Sequence, residues 1–150
     1  MIKHFPEPPL PADVLTRLCD FYRHLDMSLL PQLSRIYHPH VVFIDPVSHY
    51  DGVDALERYF AQLLKKVNYC RFDIQPALVQ GDEASLFWRM EYSHPSLKKG
   101  HAMSLNGASH LRLAENRIIY QRDYYDLGAM IYEHVPMLGG AVRAIKARLK

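Results

Sequence analysis

Residues 37–64 read YHPHVVFIDPVSHYDGVDALERYFAQLL, and their hydrophobic pattern changes character twice. Val41-Val42-Phe43-Ile44 is a short apolar run ended by Asp45-Pro46, the pattern of a strand that runs into a turn. After Gly52, Val53, Leu56, Tyr59, Phe60, Leu63, Leu64 and Val67 recur at helical spacing, which predicts an amphipathic helix. A helix end, a strand, a corner and a helix thus occupy fewer than thirty residues. One carboxylate, Asp45, stands where the apolar run stops. Two readings of it stand side by side. Asp before Pro favours a turn, and a lone Asp at the mouth of an apolar surface can have its proton affinity tuned by desolvation.

Upstream, Pro6, Pro8 and Pro9 deny a helix to residues 1–10, which read as an extended tail. Val14, Leu15, Leu18, Phe21, Tyr22 and Leu25 predict a helix over about 12–25 with Pro11 in its first turn. Ser28 reads as the cap of a second helix with Pro31 in its first turn and Leu29, Leu33, Ile36 and Tyr37 as its buried stripe. His38-Pro39 then favours extended chain. Downstream the period becomes two. Cys70, Phe72 and Ile74 alternate with Tyr69, Arg71 and Asp73, and three further strands follow over 84–93, 101–113 and 117–126. Gly81-Asp82 and Ala114-Glu115-Asn116 mark the turns between them. Residues 127–150 read as a helical extension interrupted by Pro136 and Gly139-Gly140. Helices first and antiparallel strands afterwards predict an α+β fold in one domain over 1–150, with the helices on one face of a curved sheet.

Composition narrows the function classes. The chain has 150 residues, 49% hydrophobic and 23% charged, with a net charge of +2. That balance offers no clustered basic face for nucleic acid. Cys19 and Cys70 match no metal or redox spacing and read as buried thiols of a reducing compartment. No apolar run approaches the roughly 20 residues that cross a bilayer, and the start of the chain lacks a signal core, so the expectation is cytoplasmic. There is no nucleophile elbow, phosphate loop or dinucleotide fingerprint, and neither a metal nor a cofactor is implied. His38-x-His40 lacks a third ligand by spacing.

Taken in order, Leu33–Tyr37, Phe43-Ile44-Asp45-Pro46, Gly52, the helix Ala55–Phe60, and the strands around Trp88–Tyr92 and Ile118–Tyr125 resemble the nuclear transport factor 2-like superfamily. The likeness lies with its polyketide-cyclase-like (SnoaL-like) and ketosteroid-isomerase-like branches. The resemblance implies a cone whose mouth takes a small apolar molecule, and it hosts isomerases, cyclases, hydratases and non-catalytic binding domains alike. It puts Asp45 at the position of the isomerase branch's proton-shuttling carboxylate. Its oxyanion-binding tyrosine falls at Phe21, with Tyr22 one place away, and its second acid at Ser109, or at His110 if the strand carries a bulge. Because losing one oxyanion donor costs about 10²–10³ in rate, the standard steroid isomerisation is not expected.

On the last strand, alternation puts Gln121, Asp123 and Tyr125 on one face and Arg122, Tyr124 and Asp126 on the other. With the first set inward, Asp45 and Asp123 form a carboxylate pair walled by Trp88, Tyr92 and Tyr125; the competing reading pairs Asp123 with a rim cation. Ser109 and His110 are adjacent, so they face opposite ways, with His110 as the histidine expected to look inward. The expected protein is a binder of a small apolar molecule with acid–base capacity at Asp45, the alternative being a non-catalytic ligand- or protein-binding domain. The resemblance also suggests a homodimer through the outer sheet face, where Phe87 stands among Arg89 and Glu91. The basic C-terminal helix reads first as a lid or subunit contact and second as a membrane-surface helix.

Overall fold

Val14, Leu15, Leu18, Cys19, Phe21 and Tyr22 share the buried side of α1 (Pro11–Arg23), which opens on a proline where an amide donor is not needed. The computed structural model of the protein describes residues 11–130 and 138–150. The expected tail over 1–10 and the apolar stretch 131–137, Pro136 included, lie outside the described residues. The second predicted helix is broken in two. A 3-10 turn over Met27–Gln32 carries Pro31, and a single α turn, α2 (Leu33–Ile36), follows it. The reason is local: a proline disfavours α geometry in the residue before it and supplies no amide to the turn.

Tyr37 is already extended, so β1 spans Tyr37–Ile44 and is longer than the apolar run alone. Its pairing slips between Tyr37 and Val42, the interval that holds Pro39, which cannot donate to a ladder. Asp45 to Ser48 turn the chain into β2 (His49–Asp51), a strand the sequence did not signal. Gly52 then caps α3 (Val53–Lys66) at φ +87°, a conformation that side chains resist, and donates its amide to Val41 at 2.7 Å. Leu56 and Phe60 are buried on the inner face of α3.

The remaining strands are β3 (Tyr69–Ile74), β4 (Leu78–Gln80), β5 (Glu83–Ser93), β6 (Met103–Ala114) and β7 (Arg117–Tyr125). They form one seven-stranded sheet in the order β2-β1-β7-β6-β5-β3, with β4 paired to β5. The α+β class is the expected one: helices on a curved sheet. The departure is that the sheet is mixed, because β1 and β7 run parallel. Chain order accounts for it, since β1 enters before the meander and only the last strand comes back to it. Glu115 and Asn116 both take positive φ in the tight β6–β7 turn.

Two apolar clusters fill the space between helices and sheet. The larger joins α1, α2, α3 and the inner sheet face; the smaller is built on Cys70, Tyr92, Met103 and Leu105. Leu25, Phe72, Met90 and Tyr125 pack against both. After β7, α4 (Leu127–Met130) is a single turn, and α5 (Leu138–Arg148) takes Gly139 and Gly140 into its own first turn. The two glycines therefore begin this helix and do not interrupt it. Lys146 of α5 pairs with Asp126 at the end of β7, and Val142 lies close to Gly128, so the helix is tied to the sheet. Among the described residues no helix is long and apolar enough to cross a membrane.

Candidate functional site

A cavity of about 370 Å³ opens between α1, α3 and the inner face of the sheet, within the size range of small-molecule sites. Asp45, Asp123, Tyr22, Trp88 and Tyr125 all line it, joined by Tyr50, Tyr59, Phe43 and Met90. The two carboxyl groups foreseen as a pair do converge on one space.

Asp45 builds the corner and lines the cavity at once. Its Oδ1 accepts the amides of Val47 at 2.7 Å and Ser48 at 2.8 Å, the side-chain-closed turn that Asp favours. Its Oδ2 accepts the Tyr59 hydroxyl at 3.2 Å. Asp45 is 8% exposed, and both oxygens are engaged. The turn reading holds, and the same carboxylate also lines the cavity.

Asp123 is arranged differently. Its Oδ1 accepts Ser109 Oγ at 2.6 Å and Gln121 Nε2 at 2.9 Å, while among the described residues nothing donates to Oδ2. Burial pushes its pKa up to about 6; the Ser109 and Gln121 hydrogen bonds oppose the rise and the charge of Asp45 adds to it. With two donors already on Oδ1, a proton taken up by this carboxyl goes to Oδ2. A group titrating near neutrality with one free oxygen is suited to general acid–base work.

Behind Asp123 lies a closed ring of hydrogen bonds. Tyr37 donates to Gln121 Oε1 at 2.6 Å, Gln121 Nε2 donates to the Tyr22 hydroxyl at 3.2 Å, and the Tyr22 and Tyr37 hydroxyls are 3.0 Å apart. Since the Tyr37 proton goes to Gln121, Tyr22 is the donor in the last bond. The ring fixes Gln121 with its amide nitrogen toward Asp123. It also commits the Tyr22 proton, although Tyr22 lines the cavity. Burial holds the Tyr22 and Tyr37 hydroxyls protonated.

Two other hydroxyls keep their protons available. Tyr50 accepts from Ser48 Oγ at 3.0 Å, and among the described residues no group accepts the proton of Tyr50 or of Tyr125. Burial, reinforced by Asp45 and Asp123, raises the Tyr125 pKa, so this phenol remains a donor. Trp88 forms the floor: it lies across Gly107, where a Cβ would come within 2.2 Å of the indole, and its Nε1 donates to Ser109 at 2.9 Å.

The other expected site residues fall elsewhere. Phe21 is core, edge-on to Tyr22 and Phe60, and does not line the cavity. Ser109 supports Asp123 from behind. Tyr92 lines a second, neighbouring cavity and donates to the Met130 carbonyl at 2.6 Å. His110 was expected to look inward and does not: it sits on the outer face beside Glu83 and edge-on to Tyr120. The β5–β6 register runs unbroken through this region, and the slip comes later, between Arg112 and Leu113 of the β6–β7 pair. At the surface, His38 Nδ1 accepts the backbone amide of His40, and its Nε2 meets Glu115. Among the described residues no group of three or more His, Cys, Asp or Glu is placed to hold a metal. Sequence reasoning missed the roles of Gln121, Tyr37, Tyr50 and Tyr59. For Gln121 the signal was present, because it shares the inward face of β7 with Asp123.

A family model described as the SnoaL-like domain matches residues 18–121. The chain belongs to the SnoaL-like family. Solved structures agree on the fold. A candidate SnoaL-like polyketide cyclase from Jannaschia sp. CCS1 superposes with a TM-score of 0.71 at 15% identity, covering 87% of this chain and 95% of that one. A protein with a ketosteroid isomerase-like fold from Catenulispora acidiphila DSM 44928, crystallised with trimethylamine, gives 0.69 at 14% identity over 81% and 91%. TerC, co-crystallised with polyporic acid, gives 0.67 at 16% identity over 80% and 94%. Among curated proteins none matches the sequence significantly. At such identities the SnoaL-like relatives establish the architecture alone.

Proposed function

We propose that this chain is a proton-transfer enzyme of the isomerase, cyclase or hydratase kind, acting on an apolar small molecule that carries a carbonyl oxygen. The observation that carries the reading is the free Oδ2 of Asp123, beside a saturated Oδ1 and a pKa near 6. In this scheme ionised Asp123 takes a proton from the carbon next to the carbonyl. The electron pair moves onto the carbonyl oxygen, which the Tyr125 and Tyr50 hydroxyls stabilise as it gains charge. Return of the same proton to another carbon isomerises the substrate; attack of the enolate on a second carbonyl closes a ring. The proton leaves and returns, so the balance needs no redox partner. Asp45, expected from sequence to be the acid–base group, becomes the buried acceptor that shapes the corner and raises the proton affinity of Asp123. The two buried free thiols fit a cytoplasmic setting.

The test is hydrogen–deuterium exchange at the carbon next to the carbonyl of tetralone and cyclohexenone in deuterium oxide, followed by proton NMR. Exchange well above the protein-free rate, lost by about 10²–10⁴ in Asp123→Asn, is the expected result. Binding of these ketones without any accelerated exchange would replace the reading with the non-catalytic alternative. In the same proposal the protein is a homodimer through the outer sheet face, where Phe87 and Tyr124 are 44% and 51% exposed beside Arg89, Glu91 and Arg122. A 17.4 kDa species at micromolar concentration in sedimentation equilibrium overturns the dimer.

A further inference from the structure

Beside the main cavity lies a second one of about 320 Å³, lined by Val67, Cys70, Tyr92 and Leu97 together with residues common to both. Leu63, Lys66, Met90 and Met130 line the two cavities alike, so the spaces adjoin along one wall. Their chemistry differs. The first gathers two carboxyl groups and four phenols. In the second, the Tyr92 hydroxyl proton is committed to the Met130 carbonyl, and burial keeps the Cys70 thiol protonated with its pKa pushed up to about 12. The backbone amide of Ser96 donates to His94 Nδ1 at 3.0 Å, turning that nitrogen away from any ligand. Lys66 is exposed at the rim. The interior of the second cavity thus presents hydrocarbon and sulfur with almost nothing to hydrogen-bond.

We infer that the two cavities hold one elongated ligand, its oxygen-bearing ring in the first and an alkyl or aryl arm in the second. The inference rests on the proposed role of the first cavity for the ligand's polar end. Two features support it. A preformed apolar cavity rewards hydrocarbon and rejects polar atoms, which lose hydrogen bonds to water there. The wall common to both cavities contains Met90 and Met130, flexible side chains that adapt to arms of different shape. A compact substrate of the same head chemistry would leave the second cavity unused, so the arm sets specificity through binding.

The experiment uses phenol, para-propylphenol and para-hexylphenol as probes, with affinities measured by calorimetry. Each methylene that reaches the second cavity improves binding about fourfold, so hexylphenol outbinds phenol by a hundredfold or more. Of the two adjoining cavities, Leu97→Trp and Val67→Phe obstruct only the second, from a loop and from the end of α3, and two positions guard against a variant that fails to fold. In either variant the ratio of hexylphenol to phenol affinity falls below about tenfold. An unchanged ratio in both folded variants overturns the inference, while Asp123→Asn still weakening phenol would leave the polar-end reading intact. Phenol bound equally by the parent and Asp123→Asn overturns the polar-end reading and the two-cavity ligand with it.

Discussion

Replacing Asp123 by asparagine tests the site without any substrate. Asparagine keeps an oxygen to accept Ser109 and Gln121 and puts an uncharged amide where Oδ2 stands. The parent's carboxyl titrates near 6 in the folded protein against an ordinary 3.8. Between those values the native state binds more protons than the unfolded one, so this group's contribution to stability falls as pH rises and levels off above about 6. A displacement of roughly two pH units corresponds to about 3 kcal/mol held against the fold at neutral pH. About 1 kcal/mol of that is already present near pH 4.5, which leaves about 2 kcal/mol to develop by pH 8. Asp123→Asn is therefore expected to be more stable than the parent at pH 8, by about 1–3 kcal/mol after allowing for an imperfectly bonded amide. Urea titrations of parent and variant near pH 4.5 and pH 8 measure the difference, and the carboxyl groups remote from Asp123 cancel between the two proteins. A stability difference that is the same at both pH values within about 0.5 kcal/mol refutes the argument.

Three further outcomes follow from the geometry. Tyr37→Phe opens the hydrogen-bond ring and leaves Gln121 Oε1 buried without its donor, at a cost of about 2–3 kcal/mol; a urea midpoint that does not move contradicts the ring. Ser109→Ala removes a donor that favours the ionised form of Asp123, so the carboxyl titrates above 6, which carbon-13 NMR of the side chain reads directly; a downward movement would be the wrong sign. Gly107→Ala drives a methyl group into the Trp88 ring and costs about 1–3 kcal/mol, with a changed tryptophan emission as the indole leaves Ser109; an unchanged spectrum and midpoint would mean that the ring has room to spare.

Periodicity made most of the fold legible. The switch from helical to alternating spacing near Asn68 divides α3 from the strands β3 to β7, and Gly52 marks the start of α3 by a φ that only glycine takes easily. Residues 49–51 and 78–80 form strands too short for a pattern, and the parallel pairing of β1 with β7 is a long-range fact that no local spacing carries. In the site, Asp45 announced itself by standing at the end of an apolar run, and alternation put Asp123 and Tyr125 on one face, which the family resemblance turned inward. The ring eluded sequence reading because Tyr22, Tyr37 and Gln121 come from three distant elements. A tyrosine at an apolar helical position looks the same whether its hydroxyl is idle or indispensable. His110 misled because a bulge was admitted at a point where the ladder is regular.

The ring that orients Gln121 also bears on how the protein folds. Tyr37 and Gln121 are 84 residues apart in sequence, and Tyr22 and Gln121 are 99 apart. The β1–β7 pair spans similar distances. Contacts of such separation close large loops and form slowly compared with the β5–β6 and β6–β7 hairpins. The meander can therefore assemble early, while the helical half and β1 dock last. Asp123 is then carried on an early strand but acquires its fixed partner amide only in the final step. A partly folded chain has the carboxyl without the pocket, so the raised proton affinity of Asp123 and completion of the fold arrive together.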